Sequence, residues 1–298
     1  MTSRSALVAA PLIFAALALS ACSTGAPGKS SSGKLSVVAS FYPLQFAAEQ
    51  IGGGHVAVTS LTRPGTEPHD IELTTRDVAT VSEAGLVVYE KGLQGAVDKA
   101  VESQAPDRSL DVSSAAELNL RLTTGGTDPH FWLDPGRYSH VAEAIAARLS
   151  AADPAHKADY KKNAESFAAR LTMLSEELSA GLASCQRRDL VTSHAAFGYL
   201  AQRFGMKQVA ITGISPEQEP DAAEIAAVST FARANGVTTV YSETLASPAI
   251  AQTVAREAGA KVATLDPIEG LTRQSSGKDY FEVMRSNLRT LQAGQGCS

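Results

Sequence analysis

At 298 residues, the chain is longer than one domain usually needs, so two lobes are expected. With 44% apolar and 19% charged residues it has the make-up of a soluble globular protein. A net charge of -5, with no Lys/Arg-rich run and no basic stripe interleaved with aromatics, excludes the usual nucleic-acid-binding surface.

The N-terminus reads as a processing segment. Arg4 precedes an unbroken apolar run from Ala6 to Leu19, shorter than the roughly 20 residues of a spanning helix. Residues 1–21 are therefore a signal peptide, outside the fold. Leu19-Ser20-Ala21-Cys22 resembles the lipobox of bacterial lipoproteins, which implies cleavage before Cys22 and a lipid on its sulfur. The Ser/Gly-rich stretch that follows, to residue 34, reads as a flexible tether.

A first lobe, 35–152, then alternates short apolar runs with helical spans. Strands are predicted at Leu35–Ser40, His55–Leu61, Gly85–Tyr89 and Ser109–Val112. Helices are predicted from Tyr42-Pro43 to Ile51, from a Thr74 or Thr75 cap to Ala84, over Leu93–Ser103 and over Arg137–Ser150. Between the second strand and its helix lies Arg63-Pro64-Gly65-Thr66-Glu67-Pro68-His69-Asp70, a loop dense in chain breakers. Before the last helix comes Asp128-Pro129-His130-Phe131-Trp132-Leu133-Asp134-Pro135. Proline fixes φ and pushes the preceding residue toward extended backbone. His130 is thus mounted on a short stiff segment, with an apolar trio to anchor it.

Asp153 and Pro154 open a long helix through Tyr160, Phe167, Leu171, Leu174 and Leu178 to Leu182, apolar on one face. It is long enough to connect two lobes, as a linker over 153–183. The second lobe, 184–298, repeats the grammar of the first. Strands are predicted at Asp189–Ser193, Lys207–Ile211, Val237–Tyr241 and Lys261–Leu265, and helices at Phe197–Phe204, Asp221–Asn235, Ser247–Ala258 and Asp279–Leu291. This is the pattern of α/β lobes with parallel sheets. Ligands of open α/β sheets bind beyond the strands' carboxyl ends, where His69, His194, Glu243 and Asp266 all fall.

Six histidines occur, at 55, 69, 130, 140, 156 and 194. His69, His130 and His194 end strand-like or extended segments beside loops; the others read as ordinary surface residues. Adding Asp266 gives three imidazoles and a carboxylate, two ligands from each lobe, a set that suits Zn(II) rather than Ca(II) or Mg(II). Asp266 before Pro267 equally reads as a turn residue. If it does not bind, a water takes the fourth position and an extracellular zinc hydrolase becomes possible, although no His-Glu-x-x-His is present. A surface adhesin with a structural metal is a further alternative. Glu67 and Glu243 lie near the proposed site and suit carboxylates that orient imidazole N–H groups. Trp132 is two residues from His130. Cys185 and Cys297, outside the cytoplasm, most simply pair, tying the chain end to the start of the second lobe.

Five motifs, PGTEPHDIELTTRDV (64–78), DPHFWLDP (128–135), TSHAAFGYLAQRFG (192–205), YSETLAS (241–247) and LDPIEGL (265–271), closely resemble the zinc/manganese-binding solute receptors of bacterial ABC importers. The resemblance implies two α/β lobes joined by one rigid helix, with the metal in the cleft, held by His69, His130, His194 and Asp266. It implies capture without catalysis, delivery to an ABC permease in the cytoplasmic membrane, and a monomer, with a metallochaperone as a possible further partner. Histidine at 194 leans toward Zn(II) over Mn(II) or Fe(II). Residues 113–129 lack the His-rich loop of many zinc members, which keeps manganese and iron open.

Overall fold

The computed structural model describes residues 28–30, 32–122 and 126–298. The signal-peptide and Cys22 readings lie outside these residues. Two four-stranded sheets, all their neighbouring strands parallel, centre two α/β lobes. In the first, β1 (Leu35–Ala39), β2 (Val56–Ser60), β3 (Leu86–Tyr89) and β4 (Ser109–Asp111) lie in the order β2-β1-β3-β4. In the second, β5 (Asp189–Thr192), β6 (Lys207–Ala210), β7 (Thr239–Ser242) and β8 (Lys261–Thr264) lie in the order β6-β5-β7-β8. The central strands are buried on both faces, as Val37, Val38, Leu86, Val87 and Val88 show, because helices cover each side of a parallel sheet.

The first lobe carries α1 (Tyr42–Gly52), α2 (Thr75–Glu83), α3 (Gly95–Gln104) and α4 (Pro135–Ala152). The second carries α6 (Gly198–Arg203), α7 (Ala222–Ala234), α8 (Ala249–Ala258) and α9 (Tyr280–Gln295). Helix starts follow local chemistry. Thr74 with Asp77, and Asp221 with Glu224, form reciprocal caps at α2 and α7. Asp134 caps α4 through the Gly136 N–H, with Pro135 in the first turn.

The connector is α5 (Lys157–Leu182), whose 26 residues span about 39 Å. It begins later than the sequence predicts. Asp153 makes no cap, and Pro154–His156 form a 3-10 turn. The Asp153 carboxylate is engaged elsewhere, by the His156 ring at 2.6 Å and the Tyr160 hydroxyl at 2.7 Å.

One face of α5 buries Tyr160, Phe167, Leu171, Leu174, Leu178 and Leu182. It packs on α1 and α4 of the first lobe and on α9 of the second. Phe167 meets Phe46, Tyr138 and Phe281 edge-on, the favoured aromatic geometry. Through this face the main core runs unbroken from Val37 and Trp132 to Leu190 and Leu265. A disulfide joins Cys185, just past α5, to Cys297, just past α9. Among the described residues, no helix is long and apolar enough to cross a membrane.

Candidate metal site

The cleft between the lobes receives loops from the carboxyl ends of both sheets. His69 sits in the loop after β2, where the backbone N–H of His69 donates to both oxygens of Glu67 at 3.0 and 3.2 Å. Gln94 steadies the same loop by donating to Pro68 O at 3.1 Å. His130 precedes a buried 3-10 turn, Phe131–Leu133. Asp128 Oδ1 accepts from its backbone N–H at 2.9 Å and lies 2.7 Å from its Nδ1. This places the proton on Nδ1 and leaves Nε2 facing the cleft. His194 follows β5, and Glu243 follows β7. Glu243 lies 2.6 Å from His194 Nδ1 and accepts from its backbone N–H at 3.1 Å. Carboxylates that hold the far nitrogen of an imidazole fix both ring and tautomer.

The three imidazoles meet a fourth group, Glu269. All four donor atoms lie within 4.8 Å of one another. Glu269 Oε1 is 3.3, 3.1 and 3.2 Å from Nε2 of His69, His130 and His194. His130 Nε2 is 3.3 Å from His69 Nε2 and 3.4 Å from His194 Nε2. A tetrahedron with corners 2.0–2.1 Å from its centre has edges of roughly 3.3–3.4 Å. Five of the six separations therefore match the edges of a zinc-sized tetrahedron. The second oxygen of Glu269 is buried without a hydrogen-bond partner, as is expected of a carboxylate whose partner is a cation.

Asp266, the fourth ligand expected from the sequence, is outside this group. Its Oδ1 turns back to accept from the Ile268 N–H at 2.8 Å, the turn role that a short Asp before proline can also fill. Asn287 clamps its backbone, accepting from Asp266 N–H at 2.9 Å and donating to Asp266 O at 2.6 Å. Ile268 then takes a positive φ of 59°, unusual for a branched residue. The next residue, Glu269, enters the cleft. Its side chain lies three residues beyond the predicted one, within the same LDPIEGL segment. Trp132 is fully buried, with its ring centroid 5.2 Å from that of His130 and its Nε1 donating to Pro267 O at 2.7 Å.

The side chains of His130, His194 and Glu269 are fully buried, and only His69 retains slight exposure, at 5%. Burial pushes the His69 imidazole below its ordinary range against the pull of Glu269. Burial also opposes charge on His130 and His194, but the carboxylates of Asp128 and Glu269, and of Glu243 and Glu269, outweigh it and hold both rings raised. Burial works against ionisation of Glu269, yet the facing imidazoles hold its carboxyl well below the usual range. Burial and the neighbouring Glu269 push Glu67 up to about 8. Three inward nitrogens and one carboxylate, none of them solvated, form a site that a divalent cation would satisfy better than any single proton.

A family model described as the zinc-uptake complex component A, periplasmic, matches residues 37–294. The chain belongs to the ZnuA family. It is 33% identical to the high-affinity zinc uptake system protein ZnuA of Bacillus subtilis, over 92% of this chain and 93% of that protein. It is 36% identical to the zinc-binding lipoprotein AdcA of Streptococcus pneumoniae, over 93% of this chain but 58% of that protein. The chain thus spans little more than half the length of the AdcA relatives. The Zn(II)-bound ZnuA-like domain of that AdcA superposes with a TM-score of 0.76 at 36% identity, covering 88% of this chain and 99% of the domain. The laminin-binding protein Lmb of Streptococcus agalactiae, described as having adhesin and metal-transporting activity, gives a TM-score of 0.79 at 34% identity over 87% and 99%.

Two functional groups of this ZnuA-family chain escape a reading by sequence position alone. Asp128 lies in the quoted DPHFWLDP segment, and its Asp-x-His spacing is the signal for a carboxylate that folds back onto its own histidine. Glu269 is signalled only by its place behind a strand end, which it shares with Asp266. A cavity of about 790 Å³ between α4 and α5, lined mainly by alanines with two lysines and two glutamates, lies apart from these residues.

Proposed function

We propose that the protein is an extracytoplasmic receptor that captures Zn(II) between its lobes and hands it to an ABC-type permease. The observation that carries this reading is the buried group His69, His130, His194 and Glu269, with separations of zinc-tetrahedral size. Four protein donors fill a zinc sphere and leave no place for an activated water, which favours capture over hydrolysis. Nitrogen-rich donors favour zinc over the harder Mn(II). Glu67, Asp128 and Glu243 fix the imidazoles by their loops or rings, and Trp132 backs His130.

Capture needs the inward nitrogens free of protons. Release proceeds most readily past His69, the one ligand with any exposure. The unbroken core along α5 favours release by movement of loops rather than by a wide swing of lobes. The reading brings with it a division of the chain into a signal peptide (1–21), a tether that carries a lipid anchor at Cys22, lobes at 35–152 and 184–298, and a linker at 153–183; the end of the expected 22–34 tether is not free, since Gly28 N–H donates to Glu83 O at 3.2 Å and Gly28 O accepts from Ser36 N–H at 2.9 Å.

Metal content of the purified chain, followed by competitive titration of zinc against manganese, tests the proposal. Zinc recovered at one equivalent and favoured in competition supports it. Manganese retained against excess zinc overturns the assignment of metal. A second reading, binding to a host surface, draws on the laminin-binding name of Lmb. Immobilised laminin that captures the zinc-loaded chain would support it.

A further inference from the structure

Asp128 belongs to the first lobe, and its Oδ1 fixes His130. Its other oxygen meets the second lobe. A Cβ placed on Gly198, the first residue of α6, would stand 2.3 Å from Asp128 Oδ2 and 2.5 Å from Leu120 Cδ2, closer than a side chain can approach. Oδ2 is buried without a hydrogen-bond partner, and the glycine C–H bond that a Cβ would replace points toward it, at best a weak attraction. The backbone does not call for glycine here. Gly198 has no left-handed φ, and alanine is the better helix former. Local propensity favours alanine at 198; only the contact across the lobes favours glycine.

The next residue completes the seat. The buried Tyr199 hydroxyl accepts from the N–H groups of Asn119 and Leu120 at 3.1 and 3.2 Å, and Leu120 O accepts from Asp128 N–H at 2.9 Å. The Arg137 guanidinium lies 4.3 Å from the Tyr199 ring centroid and donates to Ala116 O at 2.9 Å. Glu243 is placed differently. It shares a lobe with His194 and spends both oxygens on it. His194 is thus oriented within its own lobe, whereas His130 is oriented by a carboxylate seated against the opposite one.

We propose that Gly198 is a positioning residue for His130, through which the second lobe sets the ring of a first-lobe ligand. A side chain at 198 must push Asp128 from 2.3 Å to an ordinary contact of 3.4 Å or more, a shift of about 1 Å. Leu120 can turn its methyl group aside. Asp128 cannot yield that far and keep its 2.7 and 2.9 Å contacts with His130. His194 lies four residues before Gly198, so one segment both carries a ligand and orients another. A displacement of α6 is felt at both imidazoles.

Nitrogen-15 spectra of the histidine rings in the metal-free chain read the contact directly. Asp128→Ala should move the His130 ring nitrogens, and Gly198→Ala should move them in the same direction while leaving those of His194 in place. Unmoved His130 nitrogens, or both rings moved alike, overturn the proposal. The second arm rests on the zinc-receptor reading and uses chelator competition. Gly198→Ala should weaken zinc roughly tenfold, the low end for groups that orient ligands. In an Asp128→Ala background the same substitution should change zinc affinity less than about twofold, because the carboxylate it displaces is gone. Equal losses in both backgrounds would mark Gly198 as a packing residue and overturn the proposal. If Gly198→Ala melts too low to assay, adding Asp128→Ala should raise its melting temperature, and the absence of a rise counts equally against it. A wild-type chain that binds no zinc would sink the receptor reading, while the ring spectra would still decide the contact.

Discussion

Replacing Glu269 by glutamine separates the two candidates for the fourth ligand. The variant keeps the volume and one oxygen but removes a buried charge that lies 3.1–3.3 Å from three imidazole nitrogens. Two unit charges 4 Å apart contribute about 4 kcal/mol at an effective dielectric of 20. The remaining amide oxygen recovers part of this, leaving a loss of about 3 kcal/mol, or roughly a hundredfold in Kd. Asp266→Asn keeps the acceptor that the Ile268 N–H uses, so zinc affinity should stay within about threefold. The assay is chelator competition at pH 7.5, with circular dichroism to confirm that both variants are folded. A hundredfold loss in Asp266→Asn alongside near-normal binding in Glu269→Gln would refute the assignment and restore Asp266 as the ligand.

Zinc should change the fluorescence of Trp132, whose ring lies 5.2 Å from that of His130; unchanged emission with zinc bound by an independent assay would count against His130 as a ligand. Reducing the Cys185–Cys297 bridge, which spans 112 residues of sequence, should cost about 4–5 kcal/mol of stability on the chain-entropy model. It should leave zinc affinity unchanged, since neither sulfur is in the site, and a matching loss of affinity would contradict this. Glu67, raised from 4.5 to about 8, holds more proton folded than unfolded between those values. It therefore makes the metal-free chain lose stability as pH rises from about 4.5 to 8. Melting temperatures across that range should flatten in Glu67→Gln, and an identical slope in both chains would show that Glu67 is not the source.

Much of the fold was legible because parallel sheets and their helices leave strong periodic marks. Buried runs such as Leu86–Tyr89, capping residues such as Thr74 and Asp221, and the apolar stripe of α5 all signal their structure locally. The start of α5 was not legible, since the choice of Asp153 between capping and holding His156 and Tyr160 depends on side chains that only the fold brings near. The histidines were legible because each ends an extended segment beside breakers. The fourth donor was not, because Asp266 and Glu269 follow the same strand, and the positive φ of Ile268 decides which one faces inward.

X-ray absorption at the zinc edge of the loaded chain tests the central claim most directly. The account predicts one zinc surrounded by about three nitrogens and one oxygen at roughly 2.0–2.2 Å, with imidazole scattering that falls when His194 is replaced by alanine. A sulfur shell near 2.3 Å, or an imidazole count that does not change in His194→Ala, would contradict it.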